Sequence, residues 1–200
     1  MRRRPLVLLT LAALIVAGCG IPGHSRSHQQ IGADAARLRA AFNASVVDTR
    51  VLALVSPTCG TCLLGATTIE KDVFATISST RLRGFIVWVP KLGAHQNDVA
   101  ARPRPSRTPA PPTTGMAAAT SSTPTPAVLD LGEDAWDVYL IYPPGVQWTG
   151  SAPPRPSYWM QQLTHASEAG GSGAWLNGGL FAQHVRAALK TGHHATDPRR

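Results

Sequence analysis

Cysteine is scarce: the 200 residues contain three, Cys19, Cys59 and Cys62. The last two form a single CxxC, which supplies only two of the four ligands a structural zinc site usually takes. The seven histidines form no recognisable ligand cluster that would complete it. His193 and His194 fall in a polar tail, His184 reads as a packed or solvated residue of a terminal helix, and His95 alone follows a strand that could face the cysteines. Long apolar runs are also missing. The N-terminal run from Leu6 to Gly18 falls short of the roughly 20 residues that a membrane-spanning helix needs. Acidic residues number 11 against 19 Lys and Arg, for a formal charge of +8. Three of the bases stand in the opening "MRRR", and several others fall in a proline-rich segment and at the C-terminus. They are not interleaved with aromatics on one face, so a nucleic-acid interface is disfavoured and a mild attraction to anionic lipid is the economical reading.

The N-terminus shows what Cys19 is for. Arginines followed by a short apolar run are the order of a secretory signal, and Val16, Ala17, Gly18, Cys19 resembles a bacterial lipobox, which implies cleavage before Cys19 and acylation of its thiol. The competing reading is an ordinary signal or anchor with an incidental cysteine. Residues 1–18 are therefore expected to be the signal and 19–30 a lipidated tether, since acyl chains contribute ~0.8 kcal/mol per buried CH₂ and hold a protein on a membrane without a spanning helix. The expected location is the cell membrane, facing outward from the cytoplasm, where disulfide chemistry is permitted.

The rest reads as one α/β domain in two pieces, 31–100 and 128–190, with a tail at 191–200. Alanine-rich helical spacing from Gln30 to Ala44 aligns Ile31, Ala35, Leu38 and Phe42. "RVLALVS" (Arg50 to Ser56) is a buried strand stopped by Pro57, and helical spacing follows from Cys62 through Ala66, Ile69, Val73 and Ile77. "GFIVWVP" (Gly84 to Pro90) is a second buried strand, so the unit begins as βαβ with parallel pairing. From Arg102 to Pro126 no acidic, aromatic or large aliphatic residue except Met116 occurs; residues 101–127 are expected to be a disordered insertion. Asp137 to Tyr142 and Val146 to Thr149 are expected to form a hairpin around Pro143, Pro144 and Gly145. Ser157 is the expected N-cap of a short helix, and "NGGLFAQHVRAALK" is an amphipathic terminal helix containing Leu180, His184 and Ala188.

The chemistry is in "SPTCGTC". A thiol at a helix N-terminus meets unpaired amides and the positive end of the helix dipole, which favour the thiolate. Cys59 is expected to be the exposed attacking thiol, and Cys62, one turn inside the helix, the one that resolves the mixed disulfide. Two other roles stay open: a soft-metal site for Cu(I) with an outside ligand, or a stable disulfide or idle pair on a binding module recognised through its tryptophan-rich C-terminal half.

The strand "VLALVS", the CGTC motif and the following helix resemble the thioredoxin-like superfamily. More closely, "SPTCGTC", Val87 to Pro90, Trp136 to Leu140 and the pair Trp159, Met160 resemble a group of bacterial thioredoxin-like proteins with an SPTCxTC motif. The resemblance implies a three-layer sandwich around a central mixed sheet, Cys59 and Cys62 as the redox pair, and no cofactor. It also implies protein thiols or disulfides as partners; a monomer is expected. Thr58 stands where thioredoxins place Trp, and Ala135, Trp136 and Asp137 lack the proline that thioredoxins set before the strand facing the motif. The similar proteins carry an aromatic, acidic "HYWDG"-type stretch between the two halves, and the codons for Pro112 to Met116 allow it in a shifted frame. A frameshifted segment within 101–127 is thus one reading and a genuine low-complexity insertion the other.

Overall fold

The computed structural model describes residues 29–31, 35–100, 114–118, 129, 135–163 and 173–194. In chain order the elements are β1 (Gln29–Ile31), α1 (Ala36–Ala44), β2 (Thr49–Val55), α2 (Gly60–Ile69) with a π-helical turn (Glu70–Phe74), and β3 (Leu82–Trp88). They continue with α3 (Gln96–Ala100), β4 (Thr114–Ala118), β5 (Val138–Tyr142), β6 (Tyr158–Gln161) and α4 (Gly178–His194). The protein is mixed α/β, with one mixed sheet in the order β1-β4-β3-β2-β5-β6. β2 and β3 pair in parallel as the βαβ reading expects, while β5 runs antiparallel to both β2 and β6.

β2 is buried along its whole length, and its side chains alternate between two core clusters because successive residues of a strand point to opposite faces. Leu52 and Leu54 join Phe85, Val87, Leu140, Trp148 and the α1 residues Leu38 and Phe42. Val51, Ala53 and Val55 join the other cluster, which holds Cys59, Cys62, Ile69 and Val73 together with Phe181 and Val185 of α4. Apolar cover for both side-chain sets is why "VLALV" has no polar alternation.

Several elements differ from the sequence reading. Gln29–Ile31 is a strand, and the helix starts only at Ala36 after Ala35 takes a left-handed φ of 50°. Thr114–Ala118 is a strand inside the stretch whose composition reads as unstructured; it pairs in parallel with both β3 and β1. Ladder bonds use backbone groups, so small side chains do not prevent this. The rest of 101–127, with the frameshift question, lies outside the described residues, as do the leader, Cys19 and residues 195–200. Among the described residues no helix is long and apolar enough to cross a membrane.

The hairpin partner of β5 is β6, not Val146 to Thr149. Trp148 is buried as a plug beside Phe42, with ring centroids 5.9 Å apart, and Asn43 clasps both its N–H (2.8 Å) and its carbonyl (2.9 Å), which holds this segment away from the ladder. The expected helix at Ser157 is absent because Ser157 gives its N–H and hydroxyl to the Ile141 carbonyl, and the aromatic "YWM" suits a strand. In α4 the buried stripe is Phe181, Val185 and Ala188; Leu180 is exposed. His184 stacks flat on Tyr158 at 3.5 Å. The helix runs to His194, past the expected end of the domain at 190.

Candidate thiol site at the CGTC turn

β2 ends at Val55, and Ser56, Pro57 and Thr58 carry the chain over to α2. The hydroxyls of Ser56 and Thr58 both reach the Lys91 carbonyl, at 2.8 and 3.2 Å, so the loop after β3 is fastened to the approach of the motif. This is the work of the polar letters in "SPT". Cys59 is then the N-cap of α2: its backbone is extended and its sulfur accepts the Cys62 N–H at 3.2 Å. A sulfur thus occupies the place where Ser or Asp usually satisfies an orphan amide. The Thr61 hydroxyl lies 3.1 Å from the same sulfur.

Both cysteines are unbridged. Cys62 is fully buried, and Cys59, expected to be exposed, is itself only 4 % exposed. Cys59 joins the buried cluster that also holds Trp88, Tyr139 and Phe181, which position at a helix start alone does not reveal. Burial pushes the Cys62 thiol well above its ordinary value, and a hydrogen bond with Cys59 adds to this. Burial therefore favours the protonated form of Cys62.

The residue that sequence reasoning missed is Asp137. It precedes β5 with a left-handed φ of 54°, a conformation Asp tolerates better than most residues. Its side chain reaches the motif, so that the two sulfurs and a carboxylate oxygen lie within 4.8 Å of one another. At 1 % exposure it is buried. Its Oδ2 accepts from the Thr61 hydroxyl (2.9 Å) and its Oδ1 from the Tyr139 hydroxyl (3.0 Å). The Gln162 amide nitrogen, in the orientation that suits its neighbours, lies 3.2 Å from the same Oδ1 and 3.1 Å from the Thr61 carbonyl. Desolvation raises the Asp137 carboxyl above the usual carboxylate range, and the Thr61 and Tyr139 hydrogen bonds oppose the rise without cancelling it. The available signal was one acid opening an otherwise apolar strand, in the neighbourhood already placed opposite the motif.

Gly65 completes the site by what it lacks. A Cβ there would run into the Tyr139 hydroxyl and the Gln162 amide, so glycine lets Tyr139 pass beneath α2 and reach the Cys62 carbonyl at 3.3 Å. Gly65→Ala is expected to cost about 1–3 kcal/mol, because the buried ring has little room to yield. Denaturant unfolding of the two proteins measures this; a loss below about 0.5 kcal/mol, the scale of an ordinary surface change, would mean that Tyr139 is not wedged there.

The raised Asp137 carboxyl has a signed consequence for stability. Folding favours its protonated form, so the contribution is fully present below the ordinary carboxylate value of ~3.9 and is lost as pH rises through the higher folded value. Asp137→Asn keeps the shape and cannot ionise. Its reduced form is expected to melt higher than the parent at neutral pH and to match it at acid pH. Thermal unfolding across pH in the presence of a chelator tests this, and a variant less stable than the parent at neutral pH refutes it.

Among the described residues, His95 and His184 stay outside this constellation. His95 is exposed and its N–H is capped by the Asp98 carboxylate at 2.7 Å; His184 is engaged with Tyr158. No protein-family model, curated protein or solved structure matches the chain.

Proposed function

We propose that the protein is a lipid-anchored, extracytoplasmic thiol–disulfide exchange protein of thioredoxin-like type, a three-layer sandwich using Cys59 and Cys62 as its redox pair. One observation carries the reading: Cys59 caps a helix N-terminus with its sulfur on the Cys62 amide, while a buried thiol and a buried carboxyl stand behind it. The helix end offers the attacking sulfur the amide hydrogen bond and dipole that stabilise a thiolate. The Val16 to Cys19 lipobox supports the anchor, and export supports the presence of disulfide partners.

In the reductive direction the Cys59 thiolate attacks one sulfur of a protein disulfide, whose S–S bond breaks as a mixed disulfide forms and a substrate thiolate leaves. Cys62 then gives its proton to Asp137 and attacks the Cys59 sulfur. The bond between Cys59 and substrate breaks, and the second substrate thiolate leaves and is protonated. Two electrons have passed from the cysteine pair to the substrate, and the reverse sequence oxidises a substrate dithiol. No cofactor takes part.

Alkylation order tests the reading. With the reduced protein, iodoacetamide is expected to modify Cys59 first, with Cys62, whose thiol burial keeps protonated, slow or silent. Mass mapping of the two sites over time decides it. Equal labelling of both, or faster labelling of Cys62, overturns the assignment.

A further inference from the structure

We infer that the reduced site is also a zinc site, with Cys59, Cys62 and Asp137 as its three protein ligands. A lone CxxC lacks the ligands for zinc, but the fold supplies a third from a residue distant in the chain, Asp137. The two sulfurs and a carboxylate oxygen already lie within 4.8 Å of one another, and a contraction of about an ångström closes them round an ion with bonds of ~2.3 Å to sulfur and ~2.0 Å to oxygen. All three residues are at most 4 % exposed, so the donors converge in a buried site.

The surroundings hold the donors in place for such an ion. Tyr139 and Gln162 bond Oδ1 and Thr61 donates to Oδ2, fixing the plane of the carboxylate while leaving a lone pair of Oδ2 free. The Cys62 amide orients the Cys59 sulfur. Outer hydrogen bonds of this kind orient metal ligands and tune them. The Thr61, Tyr139 and Gln162 groups that bond Asp137 are neutral, so none of them adds a charge that would repel an ion.

The donor set selects the metal. Cu(I) favours soft thiolate and thioether donors and gains little from a carboxylate, whereas Mg²⁺ and Ca²⁺ require six or more oxygens. Zinc accepts both sulfur and carboxylate oxygen in a tetrahedron, and three protein ligands leave its fourth position for water or an incoming thiolate. Zinc and disulfide would exclude each other, because the ion needs both thiolates. Oxidation of the pair to a disulfide, by a substrate disulfide that is itself reduced to two thiols, would therefore release it.

The test uses the full chain, reduced and anaerobic, titrated with zinc salt against a chromophoric chelator, with cobalt(II) as a spectroscopic stand-in. One zinc per chain is expected, with cobalt giving thiolate charge-transfer and tetrahedral d–d bands, and with loss of the metal on oxidation. Asp137→Asn is expected to weaken zinc binding at least about tenfold while leaving the fold intact by circular dichroism. The inference is overturned if the parent binds no more zinc than the Cys59→Ser, Cys62→Ser double variant. It is overturned equally if Asp137→Asn binds zinc as tightly as the parent, or if the cobalt bands are octahedral. The cobalt bands of the parent decide the matter even if Asp137→Asn fails to fold. Thiol exchange is measured separately, so failure here leaves the exchange reading standing.

Discussion

Cys62→Ser should freeze the exchange reaction halfway. With the resolving thiol replaced, Cys59 can still attack a disulfide, but nothing within reach can displace the product, and the mixed disulfide accumulates. Non-reducing electrophoresis of cells carrying this variant is expected to show adducts that collapse on reduction, and these adducts identify the natural partners. Cys59→Ser should form none and should slow turnover of a model disulfide by at least about a thousandfold, the scale on which losing a catalytic nucleophile is felt. Cys62 is at 0 % exposure against 4 % for Cys59, so Cys59 is the thiol nearer the surface and meets a protein disulfide first. Adducts formed equally by both single variants, or by neither, would remove the redox role from this pair.

The second large effect lies at the opposite end of β2. Arg50 is fully buried, and its guanidinium donates to the carbonyls of Phe42 (3.3 Å), Val146 (2.8 Å) and Pro143 (2.7 Å) while lying 4.2 Å from the centre of the Phe42 ring. Burial draws it down to about 10, still charged at neutral pH. One side chain thereby holds α1 to the irregular segment that follows β5. Arg50→Met fills similar space but leaves those carbonyls without their donor, at a cost of about 1–3 kcal/mol for each one that water cannot reach. Relief of the guanidinium's own desolvation offsets part of this, so a net loss of about 3 kcal/mol is expected from denaturant unfolding. Cys59 should stay as reactive in the folded variant, because Arg50 to Val55 spans roughly 17 Å of strand. A loss below about 0.5 kcal/mol, within the range of ordinary surface changes, would show that the loop satisfies its carbonyls in another way.

Elements with a strong local signature were legible. β2 and β3 carry the apolar runs Val51 to Val55 and Phe85 to Trp88, each stopped near a proline, and α2 starts at the CGTC turn, because strand burial and helix initiation are written into neighbouring residues. Errors came where tertiary contacts overrode local preference. Tyr158–Gln161 became a strand because β5 offered it a ladder, and Val146 to Thr149 lost its place there because Asn43 and the aromatic pocket took Trp148. β4 could not be read from side chains at all, since its pairing with β3 and β1 is carried by backbone groups.

By itself, then, the sequence determined the α/β alternation, the parallel β2–β3 pair and the position of Cys59 and Cys62 at a strand-to-helix junction, because each depends on residues close together in the chain. Only the tertiary structure decided what surrounds the sulfurs. Asp137 lies 76 positions from Thr61 in the chain, and it meets the motif because β5 pairs antiparallel to β2 with Val138 opposite Leu54, which puts the preceding residue beside the end of β2. That register, with Tyr139 passing under Gly65, converts an unremarked acid into the third member of the site. Spacing along a chain specifies local geometry, whereas the meeting of distant segments is settled by which packing buries the most apolar surface with its polar groups satisfied.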